Sequence, residues 1–192
     1  VDFDGEYVTE LATGKQISRS QIGNNVMCFS NAPLSASEAF SSPVSPPPFM
    51  VGMAEVEIDK ETGVLELIDY VAVVDCGTVI NPSLARVQVE GGIAQGIGMA
   101  LYEDIVYNEK GKNFSNSLMQ YKIPTRLDVG TIRVEFESSY EPTGPFGAKS
   151  IGEIVINTPS PAISNAIQNA TGVIIRELPM TAEKIYRGIC GR

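Results

Sequence analysis

The sequence predicts an α+β chain in which a mixed sheet is covered by packed helices. Two observations carry that class. Residues 53–58 and 64–74 are rich in β-branched side chains and flank Asp59-Lys60-Glu61-Thr62-Gly63, the pattern of a β-hairpin. Asn81-Pro82 then opens an apolar, glycine-containing stretch that runs to about Tyr102 at helical spacing. Helical and strand patterns alternate without a βαβ repeat, which favours α+β over a doubly wound sheet.

Taken in order, residues 1–23 are polar with scattered apolar positions, and short strands are expected around Tyr7-Val8 and Gln16-Ile17. Residues 35–48 form a Ser/Pro-rich loop, because proline fixes φ and removes a backbone donor. In the hairpin, Val71-Ala72-Val73-Val74 is apolar on both faces, so a central strand buried on both sides is expected there. Asn81 caps the following helix and Pro82 is tolerated at its first position. Along that helix Gly92, Gly96 and Ala100 form a small-residue stripe that lets another backbone or a ligand approach, beside an apolar ridge of Ile93, Ile97 and Leu101. A turn at Asn108-Glu109-Lys110-Gly111 and an alternating strand at residues 132–136 follow. Thr158-Pro159 opens a helix with Ile163, Ala166, Ile167 and Ala170 on one face, closed by Gly172. Residues 173–178 read as a last strand, and Thr181 caps a short final helix.

Composition narrows the possible functions. With 192 residues and 43% hydrophobic content the chain can bury a sizeable core, as one domain or one large lobe over residues 1–192. A net charge of −9 argues against a nucleic-acid partner. No apolar run approaches the roughly 20 residues that span a bilayer, so no membrane association is expected. Cys28, Cys76 and Cys190 are odd in number and widely spaced, which speaks against a disulfide framework or a thiolate-held cluster. The chain has no histidine, so it cannot build a histidine triad or a histidine-ligated zinc site. The start at Val1 suggests a C-terminal piece of a longer polypeptide.

Two stretches carry chemistry. Gly144-Pro145-Phe146-Gly147-Ala148-Lys149-Ser150-Ile151-Gly152-Glu153 delivers a carboxylate at the end of a glycine-rich loop, and Glu153 is the candidate base. Gln95 lies beside the small-residue stripe, where an amide with donors and acceptors, if buried, needs complementary partners. A dinucleotide fingerprint fails here, since Gly96-x-Gly98 lies within the helix and is followed by Leu101 where the third glycine belongs. Cys76 reads as a small buried residue; Lys149 could assist the carboxylate or the substrate or form a surface pair with the nearby glutamate, and it is ranked as structural.

The succession Asp75-Cys76-Gly77-Thr78-Val79-Ile80-Asn81-Pro82, then residues 88–103 with Gly91-Gly92-Ile93-Ala94-Gln95-Gly96, then the loop ending in Glu153, resembles the molybdenum-binding subunit of the xanthine dehydrogenase and aldehyde oxidoreductase family. The resemblance covers about residues 47–187 and is thin before them. It implies a molybdopterin cofactor, in its cytosine dinucleotide form, contacted by Gln95, Gly96, Ser150, Ile151 and Gly152, with no side chain ligating the metal. It also implies oxidative hydroxylation, with Glu153 taking the proton of a molybdenum-bound hydroxyl. FAD and [2Fe-2S] centres are expected on other domains or subunits, together with the N-terminal part of the same subunit, in a cytoplasmic, multi-subunit enzyme. A purine or other N-heterocycle is the implied substrate; an aldehyde or carbon monoxide dehydrogenase, or a non-catalytic assembly module without cofactor, are the alternatives. The chain alone is not expected to turn over.

Overall fold

The computed structural model describes residues 1–29, 34–39 and 41–191. The chain divides into two compact units, Val1–Ser41 and Ser42–Arg192. In the first, β1 (Asp2–Phe3), β2 (Tyr7–Thr9) and β3 (Gln16–Ser18) make an antiparallel meander, and the two longer strands fall where the sequence placed them. Helix α1 (Arg19–Phe29) follows and was not anticipated. Its signal was present: the Ser18 hydroxyl oxygen accepts from the Gln21 amide at 3.2 Å while Gln21 Oε1 accepts from the Ser18 amide at 3.0 Å, a reciprocal capping box. The helix buries none of its residues, so no apolar periodicity announced it. Of the Ser/Pro-rich loop 35–48, residue 40 lies outside the described residues, and the others carry no helix or strand.

The second unit is built on a three-stranded mixed sheet, as the α+β expectation requires. Strands β4 (Phe49–Ile58) and β5 (Leu65–Asp75) form the antiparallel hairpin, and β6 (Thr131–Phe136) pairs parallel to β5. The hairpin turn is held by Asp59, whose carboxylate accepts from the Glu61 amide and the Thr62 hydroxyl, both at 2.8 Å. Between β5 and β6 runs α2 (Pro82–Leu101), capped as expected by Asn81, whose side chain accepts from the Leu84 amide at 3.1 Å. Short α3 (Ile154–Asn157), α4 (Pro159–Thr171) and α5 (Ala182–Ile189) complete the helical layer. Gly172 closes α4 with φ 77°, and the Thr181 hydroxyl caps α5 through the Lys184 amide.

The helices cover one face of the sheet. Tyr70, Ala72 and Val74 of β5 meet Val89, Ile93 and Ile97 of α2, Ile163 and Ile167 of α4, and Ile185 of α5 in one buried cluster. Tyr70 reaches through this core to donate to Thr158 Oγ1 at 2.8 Å, and Gly52 leaves the room its hydroxyl occupies. Strand β5 is therefore central in order but not buried on both sides. Val51, Met53, Ile68 and Val73 point from the opposite face and are exposed. The expected last strand is also absent: residues 173–178 form no strand, and the Ile175 carbonyl is taken instead by the Ser164 hydroxyl at 3.2 Å.

The small-residue stripe of α2 serves helix packing. A Cβ on Gly92 would meet the Val155 side chain, and one on Gly96 would lie 2.5 Å from Pro159 Cγ. Backbones of α2, α3 and α4 approach closely because of these two residues.

Candidate functional site

Where α2 faces α3, an open cleft of about 640 Å³ is lined by Gln88, Gly91, Gln95, Gly152, Glu153 and Asn157, among others. That volume falls within the roughly 300–1,000 Å³ of small-molecule sites. Gln95 comes from the fourth turn of the helix, one residue before buried Gly96, and its side chain is exposed toward the cleft. Glu153 directly precedes α3 and is likewise exposed. Residues 58 positions apart in sequence thus share one opening because Gly92 and Gly96 let α3 and α4 settle on α2.

The other expected contacts lie apart. Gly96 is buried under Pro159 and does not line the cleft. Ile151 turns to a neighbouring cavity of about 330 Å³ bounded by Cys76, Ile80, Leu84 and Lys149. Ser150 is exposed and borders a third depression with Ser42, Pro46 and Pro145. Of the loop residues named from sequence, Gly152 and Glu153 are the two that reach the cleft.

The loop before Glu153 is shaped by backbone approach. Phe146 adopts φ 54°, a left-handed conformation that costs a side-chain-bearing residue about 1–2 kcal/mol. Gly147 is buried against Tyr140 and Thr78, and its carbonyl accepts from the Thr78 amide at 2.8 Å. One residue pair further, the Lys149 amide donates to the Cys76 carbonyl at 2.7 Å, so Gly77 and Ala148 face each other as a short antiparallel bridge.

The Lys149 side chain does not pair with Glu153. It turns inward to Asp75 at the end of β5, with 2.6 Å between Nζ and Oδ2, and only 8% of the side chain is exposed. Asp75 Oδ1 accepts from Ser139 Oγ at 2.5 Å and from the Gly77 amide at 3.0 Å. With Lys149, Ser139 and Gly77 all stabilising the anion, the Asp75 carboxyl is held down at about 2. Burial pushes the Cys76 thiol up, in keeping with a packing role. Sequence reasoning missed the ion pair, whose members are 74 residues apart.

Residues 1–130 match the family described as the molybdopterin cofactor-binding domain. The chain belongs to that family. The match takes in Gln95 and Gly96 and extends over residues 1–45, where no motif was recognised, and it stops before the Glu153 loop. The chain is 38% identical over 146 residues to a probable hypoxanthine oxidase, XdhD, of Escherichia coli (strain K12), covering 74% of this chain and 15% of that protein. It is 36% identical over 141 residues to an aldehyde oxidoreductase of Megalodesulfovibrio gigas, covering 72% of this chain and 15% of that one. The crystal structure of quinoline 2-oxidoreductase from Pseudomonas putida 86 superposes with a TM-score of 0.68 at 39% identity, over 72% of this chain and 18% of that chain. The resemblance drawn from residues 75–103 and 144–153 holds, and the chain spans less than a fifth of the length of these relatives.

The cleft residues fit a bulky, hydrogen-bonding group. A Cβ on Gly91 or on Gly152 would meet nothing within 4 Å, so each glycine leaves open a space that a side chain would fill. The Gln95 amide supplies donors and an acceptor at the same opening. Among the described residues no cluster of three or more His, Cys, Asp or Glu could hold a metal directly.

Proposed function

We propose that the cleft is the cofactor-facing side of a molybdenum hydroxylase acting on a purine or other N-heterocycle, with Glu153 as its base. One observation carries this assignment: Gln95 and Glu153 flank the same cleft, beside two glycines that open onto it. When bound, the molybdenum-pyranopterin group, in its cytosine dinucleotide form, would supply the redox chemistry of hydroxylation. The chain supplies the rest. Gln95 presents its amide to the polar edge of the pterin, and Gly91 and Gly152 admit that ring system to the backbone. A carboxylate oxygen of Glu153 receives the proton that hydroxylation releases. Gly96, Ser150 and Ile151 act from behind the cleft, through the packing of α2 and the course of the loop.

Similarity to proteins named for hypoxanthine and quinoline supports the heterocyclic substrate. The comparable identity to an aldehyde oxidoreductase favours a second assignment, an aldehyde as substrate at the same site. Either assignment places FAD and [2Fe-2S] centres on other domains or subunits of a cytoplasmic enzyme.

A pair of substitutions in the full-length protein tests the roles. Glu153→Gln keeps size and removes basicity, so molybdenum content stays at the wild-type level while reduction by substrate slows about 10²–10⁴-fold. Gln95→Ala shows the reverse: molybdenum content falls, and the molecules that retain it turn over. Wild-type reduction rates in Glu153→Gln across pH would remove the base from this mechanism. Full occupancy in Gln95→Ala would return that amide to a solvated surface role.

A further inference from the structure

We propose that the Lys149–Asp75 ion pair is the positioning device for Glu153, fixing the loop that carries the carboxylate against the strand end from which α2 departs. The inference rests on the assignment of Glu153 as base.

Asp75 is the last residue of β5, and seven residues later Pro82 begins α2, which carries Gln95. Lys149 stands four residues before Glu153. The pair therefore ties together the two chain segments whose separation sets the width of the cleft. Its geometry is specified from several sides. Asp75 is bound by Ser139 and the Gly77 amide as well as by Lys149, and the Lys149 ammonium lies 5.2 Å from the centroid of the Phe49 ring. The flanking backbone bonds, Thr78 to Gly147 and Lys149 to Cys76, act in the same place.

The anchors are needed because the loop is strained on one side and sparsely bonded on the other. Phe146 holds a left-handed φ, a conformation that persists only where neighbours over-determine it. From residue 150 to residue 153, Gly152 faces open space, and among the described residues the Ser150 and Glu153 side chains make no hydrogen bond. A largely buried ion pair is weak evidence for net stability and serves in some proteins to fix register, the use assigned to this one. A displacement of about 1 Å at a reacting group can lower a rate by about 10²-fold.

The test uses the full-length, molybdenum-loaded protein with four variants: Lys149→Met, Lys149→Arg, Glu153→Gln and the double variant Lys149→Met/Glu153→Gln. Lys149→Met is expected to slow reduction by substrate about 10–100-fold at unchanged molybdenum content, with faster hydrogen exchange of the amides of residues 148–153. Lys149→Arg, which keeps the charge, restores most of the rate. In the Glu153→Gln background Lys149→Met adds less than about two-fold, because a residue that acts through another has nothing further to remove. An equal, independent loss in that background overturns the proposal. A wild-type rate in Lys149→Met overturns it alone, while a wild-type rate in Glu153→Gln removes the base and this inference together. Should Lys149→Met lose molybdenum or fail to fold, Asp75→Asn replaces it: the amide oxygen still accepts from Ser139 and Gly77, and a wild-type reduction rate in that variant overturns the proposal.

Discussion

The residue whose chemistry is most altered by the fold is Asp75, which the sequence offers only as one carboxylate in a Val-Val-Asp-Cys-Gly run. Held at about 2 against an ordinary value of 3.8, it is stabilised as an anion in the folded chain relative to the unfolded one. The contribution is therefore fully present above about pH 4 and is lost as pH falls from there toward 2. Hydrogen exchange at the Lys149 amide, normalised for the intrinsic pH dependence of exchange, should show protection constant at neutral pH and declining across that window. In Asp75→Asn the protection should be lower at neutral pH and flat through the same range. A wild-type loss already complete by pH 4 would mean that Lys149, Ser139 and Gly77 do not hold the carboxyl down. Glu153 contrasts with Asp75, since it is exposed and its side chain makes no hydrogen bond among the described residues. The loop thus leaves one carboxylate bonded from three sides and the other open to solvent.

At the scale of the element, α2 separates its glycines by function. Gly92 and Gly96 are closed off by Val155 of α3 and Pro159 of α4, Gly92 at the margin of the cleft, whereas Gly91 has open cleft space before it. Gly92→Ala gains about 1 kcal/mol of helix propensity but drives a methyl into Val155, an overpacking that costs about 1–3 kcal/mol. Its net effect is destabilising or neutral. Gly91→Ala meets nothing within 4 Å and keeps the propensity gain, so denaturant unfolding should find it as stable as wild type or more so. It should nevertheless lower molybdenum content in the full-length protein, because the methyl enters the cleft. Destabilisation by Gly91→Ala, or unchanged molybdenum content in it, would show that this face of α2 is not where a ligand comes close. Sequence alone saw the stripe of small residues but could not say which glycine faced protein and which faced open space, because the partner side chains Val155 and Pro159 lie more than sixty positions away.

For the whole molecule, what the sequence disclosed was local and what it withheld was long-range. The hairpin, the Asn81 cap, the α4 stop at Gly172 and the Thr181 cap each rest on signals within a few residues and all appear. Lost from view were the exposed outer face of β5, the unpaired course of residues 173–178 and the Lys149–Asp75 pair, each decided by what else packs nearby. The same distinction governs the site. Gln95 and Glu153 were legible as residue types within motifs; that Ile151 and Ser150 open onto other cavities was not. The cleft itself is open to solvent, with Gly91, Gln95, Gly152 and Glu153 all exposed. Sites for small molecules bury about 70–90% of their ligand, which a cleft this open cannot do. The chain expressed by itself should therefore retain little molybdenum after gel filtration, whereas a polypeptide of the relatives' length that contains it should carry about one molybdenum and one pterin cytosine dinucleotide per chain. Elemental analysis alongside nucleotide release from the denatured protein measures both. Stoichiometric, slowly exchanging molybdenum in the chain alone would mean that these residues form a complete binding site and that the cleft closes around its ligand. Absence of molybdenum from the longer polypeptide, made in cells that load other molybdenum enzymes, would mean that the scaffold is kept for assembly and that Gln95 and Glu153 face no cofactor.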